Sequence, residues 1–367
     1  MIAVDRVLRL PVESGFERGL FQGRALRDEI AAIAGIRSAL CLAQGMFRSD
    51  EELLRIAALH LPVLEAFDPD LYAELLGIAE GSGQSSERIV VLNHYTDLKD
   101  LDPRVALGEA SEAHRDLDKE EDCTAVVAAT EDGAVLAQTW DMHGSAAPFV
   151  IAMHLPSVGE VPEAWMLSIA GCLGMAGMNR AGLGVTINNL KSSDARVGLV
   201  WPALVRRVLR ETGAKEARDV VTSAPLGSGH HYLVADPEHA YGIETSGTLR
   251  EVWARADLQD LGNGFHHENH CLGTEVAQVS SISHTSTTLS RHAFMAQQPP
   301  PRRASDLWSR LTSHEGYPQS VCTHLASQEQ PHAMLTCAVL SMQLTRQAMA
   351  WHPGCGHEKT PILLPWD

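Results

Sequence analysis

The periodicity of the chain changes at residue 122, and this limits the folds open to it. From about residue 22 to 98, apolar residues recur three and four apart. Leu53, Leu54, Ile56 and Ala57 form one such set, and Leu71, Leu75, Ile78 and Ala79, ending before Gly81, form another. That spacing predicts helices. After residue 122 the pattern becomes short apolar runs bounded by turn residues, at 123–129, 134–140, 165–170, 183–188, 231–235, 241–245 and 333–342, which predicts strands. Helical spacing returns at 199–211 and 215–222, and again near 288–297 and 304–312. Helices first, then strands and helices in blocks, is the order of an α+β protein with a mostly antiparallel sheet, not of alternating βαβ units.

The two regions meet in EASEAHRDLDKEED, residues 109–122, where seven acidic residues stand against Arg115 and Lys119. This run has almost nothing to bury and is expected to be an exposed, mobile linker. It divides the chain into a helical segment with its linker, 1–122, and a strand-rich segment, 123–367. Upstream, Gly15, Gly19 and Gly23 fall four apart, a spacing that either lets another backbone approach closely or, in a soluble chain, is equally well incidental.

Charge excludes several classes of partner. Asp and Glu outnumber Lys and Arg 46 to 29, a formal charge of −17, so the long-range field repels phosphate backbones and anionic lipid surfaces. No nucleic acid and no membrane partner is expected. The start, MIAVDRVLRLPVES, lacks a basic region followed by an apolar stretch, and no segment reaches the length of a membrane helix; the expected location is the cytoplasm. The seven cysteines are odd in number, scattered and never in a C-x-x-C pair, which fits buried small hydrophobes better than a disulfide framework or a zinc ribbon.

The first strand pair carries the most chemistry. Thr130-Glu131-Asp132-Gly133 is a turn sequence between two runs of high β character, so a hairpin is expected. Antiparallel pairing about that turn puts Cys123 opposite Trp140 and within one residue of Asp141. A thiol and an aspartate then meet at one strand end. Because Cys123 directly follows the acidic run, a cut between Asp122 and Cys123 would cost little folding energy and leave a thiol carrying its own α-amine. Such an amine, with a reference pKa of about 7.7–8.0, can serve as the thiol's general base.

The stretch DCTAVVAATEDGAVLAQTWDMHG (122–144) resembles the nucleophile signature of the acyl-coenzyme A:6-aminopenicillanic acid acyltransferase family, autoproteolytic cysteine peptidases of the N-terminal-nucleophile type. ELLGIAEGSG and VVLN (74–83, 90–93), GMNRAGLGVTINNL (177–190), HHYLVADPEHAYGIETS (230–246), ENHCL (268–272) and EGYPQSVCTH (315–324) continue the similarity in the expected order. The resemblance implies a four-layer αββα sandwich made as a precursor, with Cys123 attacking the preceding carbonyl to give two chains. It implies that Cys123 then acts on a small-molecule amide or thioester, that Asp141 orients or assists the Cys123 amine, and that Asn269 donates to the oxyanion. Ser246 follows as a hydroxyl near the nucleophile. Trp140, Met142 and His143, which flank Asp141, are expected to line the acyl pocket. Processing would make an α/β heterodimer from one precursor, and a homo-oligomer is compatible with the same reading. No metal and no cofactor is expected.

Two departures from the family pattern matter. Asp122 stands where the family usually has glycine; its bulk and charge either hinder the N-to-S acyl shift or assist it as a local base. Where the acyltransferase has a Ser-Arg pair, this chain has Gln330-Pro331-His332, which argues against penicillin chemistry and favours hydrolysis of an amide over a thioester donor. An uncleaved binder of an acylated small molecule is the alternative from another class. His266, His267, His270 and Cys271 form an HHxxHC run that matches no closed zinc spacing. His230 and His231 should point to opposite faces of one strand, and GCLGMAGMNRAGLGV (171–185) reads as a hairpin turn at residues 179–182, not a dinucleotide loop.

Overall fold

The structure, a computed structural model, describes residues 6–109 and 122–366. Apart from its end residues, the acidic run lies outside the described residues. The chain opens with β1 (Val7–Arg9) and then runs through α1 (Gly15–Ala25), α2 (Arg27–Ala43), α3 (Asp50–Ala58), α4 (Leu61–Phe67), α5 (Pro69–Ser82), α6 (Ser86–Asn93), α7 (Tyr95–Asp100) and α8 (Pro103–Ala106). Local chemistry sets these boundaries. Ser49 and Asp68 accept from the N–H groups of Glu52 and Leu71 to start α3 and α5, and Gly83, at φ 72°, closes α5.

After the acidic run come β2 (Thr124–Thr130), β3 (Gly133–His143), β4 (Val150–Leu155), β5 (Ala164–Ile169), β6 (Ala176–Asn179) and β7 (Gly184–Leu190). They are followed by α9 (Trp201–Val208), α10 (Ala214–Ser223), β8 (Gly229–Ala235), β9 (His239–Thr245), β10 (Arg250–Asp257) and β11 (Gly264–His267). The chain finishes with α11 (Thr288–Gln297), α12 (Ala304–Leu311), β12 (Met334–Gln343), β13 (Ala348–Pro353) and β14 (Ile362–Leu364). One sheet has the order β1-β4-β5-β6-β7-β8-β9-β10 and the other β11-β2-β3-β12-β13-β14. Every pairing is antiparallel except that of β1 with β4.

The sheets face each other where β2 and β3 meet β7. Helix α10 covers β8 and β9 on one outer side, while α11 and α12 cover β11, β2, β3 and β12 on the other. This is the expected αββα order of layers. Alternation along the hairpin explains it: Ala125, Val127, Ala129, Leu136 and Trp140 join the large core between the sheets, while Val126, Ala128, Val135 and Ala137 join a second core with Leu307 and Leu311 of α12.

The large core does not stop at the acidic run. Ile30, Leu71 and Leu92 of the helical segment belong to the same buried cluster as Trp165, Tyr232 and Trp351. Glu74, fully buried on α5, accepts from Arg18 of α1 (3.0 Å) and is held bidentately by Arg206 of α9 (2.6 and 2.9 Å). The four-residue glycine spacing is a packing device: a Cβ on Gly19 would lie 1.9 Å from the Glu74 carbonyl oxygen, so α1 and α5 touch backbone to backbone. Among the described residues, no helix is long and apolar enough to cross a membrane.

Candidate active site

The hairpin has the expected register. Thr130 pairs with Gly133 and Thr124 with Thr139, so Cys123 stands opposite Trp140 at the end of β2. Its Sγ lies 3.7 Å from the main-chain oxygen of Asp141. Cys123 is buried and belongs to the core between the sheets, as do Trp140 and Met142. The thiol and these two expected pocket residues therefore lie in one cluster.

The residue that organises this strand end was not singled out from the sequence. Arg291, on α11, is fully buried. Its Nη1 donates to the Cys123 carbonyl (2.7 Å) and to Thr124 Oγ1 (2.9 Å), and its Nη2 to Asp122 Oδ1 (2.8 Å) and Asn269 Oδ1 (3.1 Å). One guanidinium thus grips both sides of the Asp122–Cys123 peptide, a use that needs the planar fork of arginine. From the facing sheet, Nδ2 of Asn188 on β7 shares its two N–H bonds among the carbonyls of His267 (2.8 Å), Glu268 (3.0 Å) and, at 3.3 Å, Cys123.

Asp141 is fully buried on β3, opposite Thr336 of β12. Burial pushes its carboxyl up to about 7, against the lowering pull of Thr336, the Arg291 charge and Thr139. Thr139 Oγ1 donates to Asp141 Oδ2 at 2.9 Å and accepts from the Thr124 N–H at 3.1 Å. A hydroxyl therefore couples the carboxyl to the backbone next to the nucleophile candidate. Asn269 is oriented at both ends: Oδ1 accepts from Arg291, and Nδ2 donates to the Asn189 carbonyl at 3.0 Å. An amide has two N–H bonds, and the contact with Asn189 uses one of them.

The other expected residues have different surroundings. His143 Nδ1 lies 2.7 Å from Ser145 Oγ, which is 2.7 Å from His332 Nδ1, and Tyr95 meets the ring edge-on. Burial, helped by Arg37, Lys99 and His332, holds this imidazole well below its ordinary range. Ser246, expected as a hydroxyl near the nucleophile, has its hydrogen bonds at its own turn. Its hydroxyl donates to Asp194 (2.8 Å) and accepts from the N–H groups of Thr248 (3.2 Å) and Leu249 (2.9 Å), so it is spent on capping the turn after β9.

The HHxxHC residues do not converge. His267 goes to Glu244 and stacks on His231, His270 goes to Thr288, and His266 meets His292 across Glu268. Burial alone would raise the Glu268 carboxyl, but the hydrogen bonds from His266 and His292 bring it down to about 2. His230 and His231 diverge as alternation requires, His230 reaching Asp97 on α7 at 2.8 Å.

Residues 128–353 match the family described as acyl-coenzyme A:6-aminopenicillanic acid acyl-transferase, a stretch that includes Asp141, Asn188, Asn269 and Arg291. The 40 kDa form of acyl-coenzyme A:6-aminopenicillanic-acid-acyltransferase from Emericella nidulans is 25% identical over 313 residues, 83% of this chain and 81% of that protein. Two solved structures are similar at lower identity. Penicillin V acylase from Agrobacterium tumefaciens is 16% identical with a TM-score of 0.34, over 66% of this chain and 84% of that one. A mutant of the conjugated bile acid hydrolase from Clostridium perfringens is 11% identical with a TM-score of 0.37, over 67% of this chain and 97% of that one.

Proposed function

Because the chain belongs to the acyl-coenzyme A:6-aminopenicillanic acid acyltransferase family, we propose that it is an N-terminal-cysteine amidohydrolase matured by self-cleavage between Asp122 and Cys123. It is an enzyme of the amide hydrolase and acyltransferase class. The observation that carries the finer reading is the grip of Arg291 on both the Asp122 carboxylate and the Cys123 carbonyl, which holds the peptide to be cut at the end of β2.

In maturation, Cys123 Sγ attacks the Asp122 carbonyl carbon. The peptide C–N bond breaks, the thiol proton passes to its nitrogen, which becomes the Cys123 α-amine, and water hydrolyses the resulting thioester to free the thiol and leave Asp122 with a new α-carboxylate. The new amine then takes the thiol proton, and the thiolate attacks a small-molecule amide. The second N–H of Asn269 donates to the developing oxyanion, a contribution of about 3–4 kcal/mol for one such donor. The α-ammonium protonates the leaving amine, and water deacylates the thioester. Transfer to a second amine would use the same acyl-enzyme.

Asp122 bears on the first step as a positioning group, its Oδ1 accepting from both Arg291 and Ser286. His332, engaged with Ser145, supplies no arginine-like fork for a thioester donor's phosphates, which favours hydrolysis. The cut chains would stay together as an α/β heterodimer acting in the cytoplasm.

The test is the intact mass of purified protein under denaturing conditions, with Cys123→Ala alongside. Two fragments meeting at Asp122–Cys123 in the wild type and one in the variant are expected. A single full-length species in both after long incubation overturns the reading and leaves an uncleaved binder of an acylated small molecule, which the buried Asp122–Arg291 pair would then hold shut.

A further inference from the structure

We propose that His314, Cys322, His324 and Cys355 form a tetrahedral zinc site, remote in sequence from the catalytic hairpin and independent of the reaction assigned to it. The four ligand atoms lie within 4.8 Å of one another. His314 Nε2 and His324 Nε2 are 3.0 Å apart, Cys322 Sγ and Cys355 Sγ 3.2 Å, and two of the four mixed contacts, His324 to Cys322 and His314 to Cys355, are each 3.4 Å. Zinc bound at its usual distances to two thiolates and two imidazoles gives edges of about 3.3 Å (N to N), 3.8 Å (S to S) and 3.5 Å (N to S). These four edges match that figure slightly contracted, and the remaining two, His314 to Cys322 and His324 to Cys355, are within 4.8 Å. The sulfur separation exceeds a disulfide bond by more than an ångström.

The donor set selects the metal. Two soft sulfurs with two imidazoles favour zinc over calcium or magnesium, and four protein ligands leave no open position for substrate, which marks the site as structural. The sulfur of Cys355 accepts a main-chain N–H from His357 at 3.4 Å, a contact that stabilises a thiolate, and His357 is itself anchored to the Thr312 carbonyl at 3.1 Å. Two thiolates cancel the charge of the dication, so the site would be nearly neutral.

Its position gives it a role. His314 follows α12, Cys322 and His324 flank Thr323, and Cys355 follows β13. Thr323 exchanges hydrogen bonds with Thr336 (both 2.9 Å), and Thr336 is the strand partner of Asp141. The metal fastens three segments of chain behind the strand that carries Asp141. The expectation of no metal missed this because the spacing, H-x7-C-x-H-x30-C, forms no compact motif. Only the meeting of the α12 exit, the β12 entry and the β13 exit assembles the ligands.

The test uses the untagged, full-length chain purified under reducing conditions without chelator. One zinc per chain by elemental analysis is expected, retained in His266→Ala/His292→Ala and lost in Cys322→Ser/Cys355→Ser. Since the cysteine variant can fail to fold for other reasons, wild-type protein stripped with chelator is titrated with Co2+. The visible bands and sulfur-to-cobalt charge transfer of a tetrahedral thiolate site should appear, and one equivalent of zinc should abolish them. A folded, reduced chain with no zinc and no cobalt spectrum overturns the proposal. So does a mass lower by two hydrogens that maps to a Cys322–Cys355 disulfide.

Discussion

Nη2 of Arg291 lies 2.8 Å from the carboxylate of Asp122, and both side chains are buried. The same guanidinium holds the carbonyl of the next residue, Cys123. An aspartate in place of the family's usual glycine is therefore accommodated as half of an ion pair, and its partner comes from a helix more than 160 residues further along the chain. Removing the arginine alone leaves a buried, unpaired carboxylate. Arg291→Met should cost about 3–5 kcal/mol, read as a fall in urea midpoint, and should slow the appearance of fragments in the intact-mass assay. Adding Asp122→Gly should restore part of the stability. Unchanged stability and processing in Arg291→Met would mean that the clamp does neither job.

The raised carboxyl of Asp141 gives a signed pH dependence. Its folded value of about 7 lies above the unfolded reference of 3.8. Between those values the folded chain keeps a proton that the unfolded chain has released. Stability from this group is thus complete below the unfolded value, falls by about 1.4 kcal/mol per unit as pH rises, and is lost by the folded value. Asp141→Asn should flatten that slope between pH 4 and 7. Denaturant titrations of uncut Cys123→Ala, with and without the second change, measure it; parallel curves would show that Asp141 does not hold the extra proton.

Asn269→Ala should lower kcat by about 10²–10³ with a small change in KM, the signature of a donor used mainly in the transition state. Asn269 also joins Arg291 to the Asn189 carbonyl, so a structural cost of about 1–3 kcal/mol accompanies its loss. Steady-state kinetics on an amide substrate separate the two effects. A rise in KM with kcat intact would assign Asn269 to substrate binding.

The α1–α5 contact can be tested with a single methyl group. Gly19→Ala would put a Cβ 1.9 Å from the Glu74 carbonyl oxygen and should destabilise the protein by about 1–3 kcal/mol or more. Gly35→Ala, in the middle of α2 with nothing within 4 Å, should stabilise it by about 0.8–1.0 kcal/mol. Thermal melts of the pair compare a packing glycine with a dispensable one, and equal Tm values would remove the packing argument.

What could be read from the chain was what is local. The β2–β3 register was legible because a two-residue turn at Glu131 and Asp132 fixes the pairing of everything above it, including Cys123 with Trp140. The strands at 165–170, 183–188 and 241–245 were legible as apolar runs between turns. By contrast, β10, REVWARAD, interleaves charged with apolar residues at a sheet edge and lacks such a run. Arg291 was hidden because one arginine in TLSRHAFMAQ looks like the solvated face of a helix; only the packing of α11 against β11 and the strand end beside it turns that face inward. The partners of Ser246 were hidden in the same way: Asp194, to which its hydroxyl donates, lies 52 residues away in the chain. The His314, Cys322, His324 and Cys355 cluster likewise exists only in three dimensions.

The buried cluster that joins Ile30, Leu71 and Leu92 to Trp165, Tyr232 and Trp351 changes its meaning if the backbone is severed before Cys123. Neither fragment then owns a complete interior, so parting them and unfolding them become one event. Before the cut, refolding is unimolecular and indifferent to dilution. Afterwards it requires two molecules to meet, and the melting temperature of the processed protein should climb with its concentration.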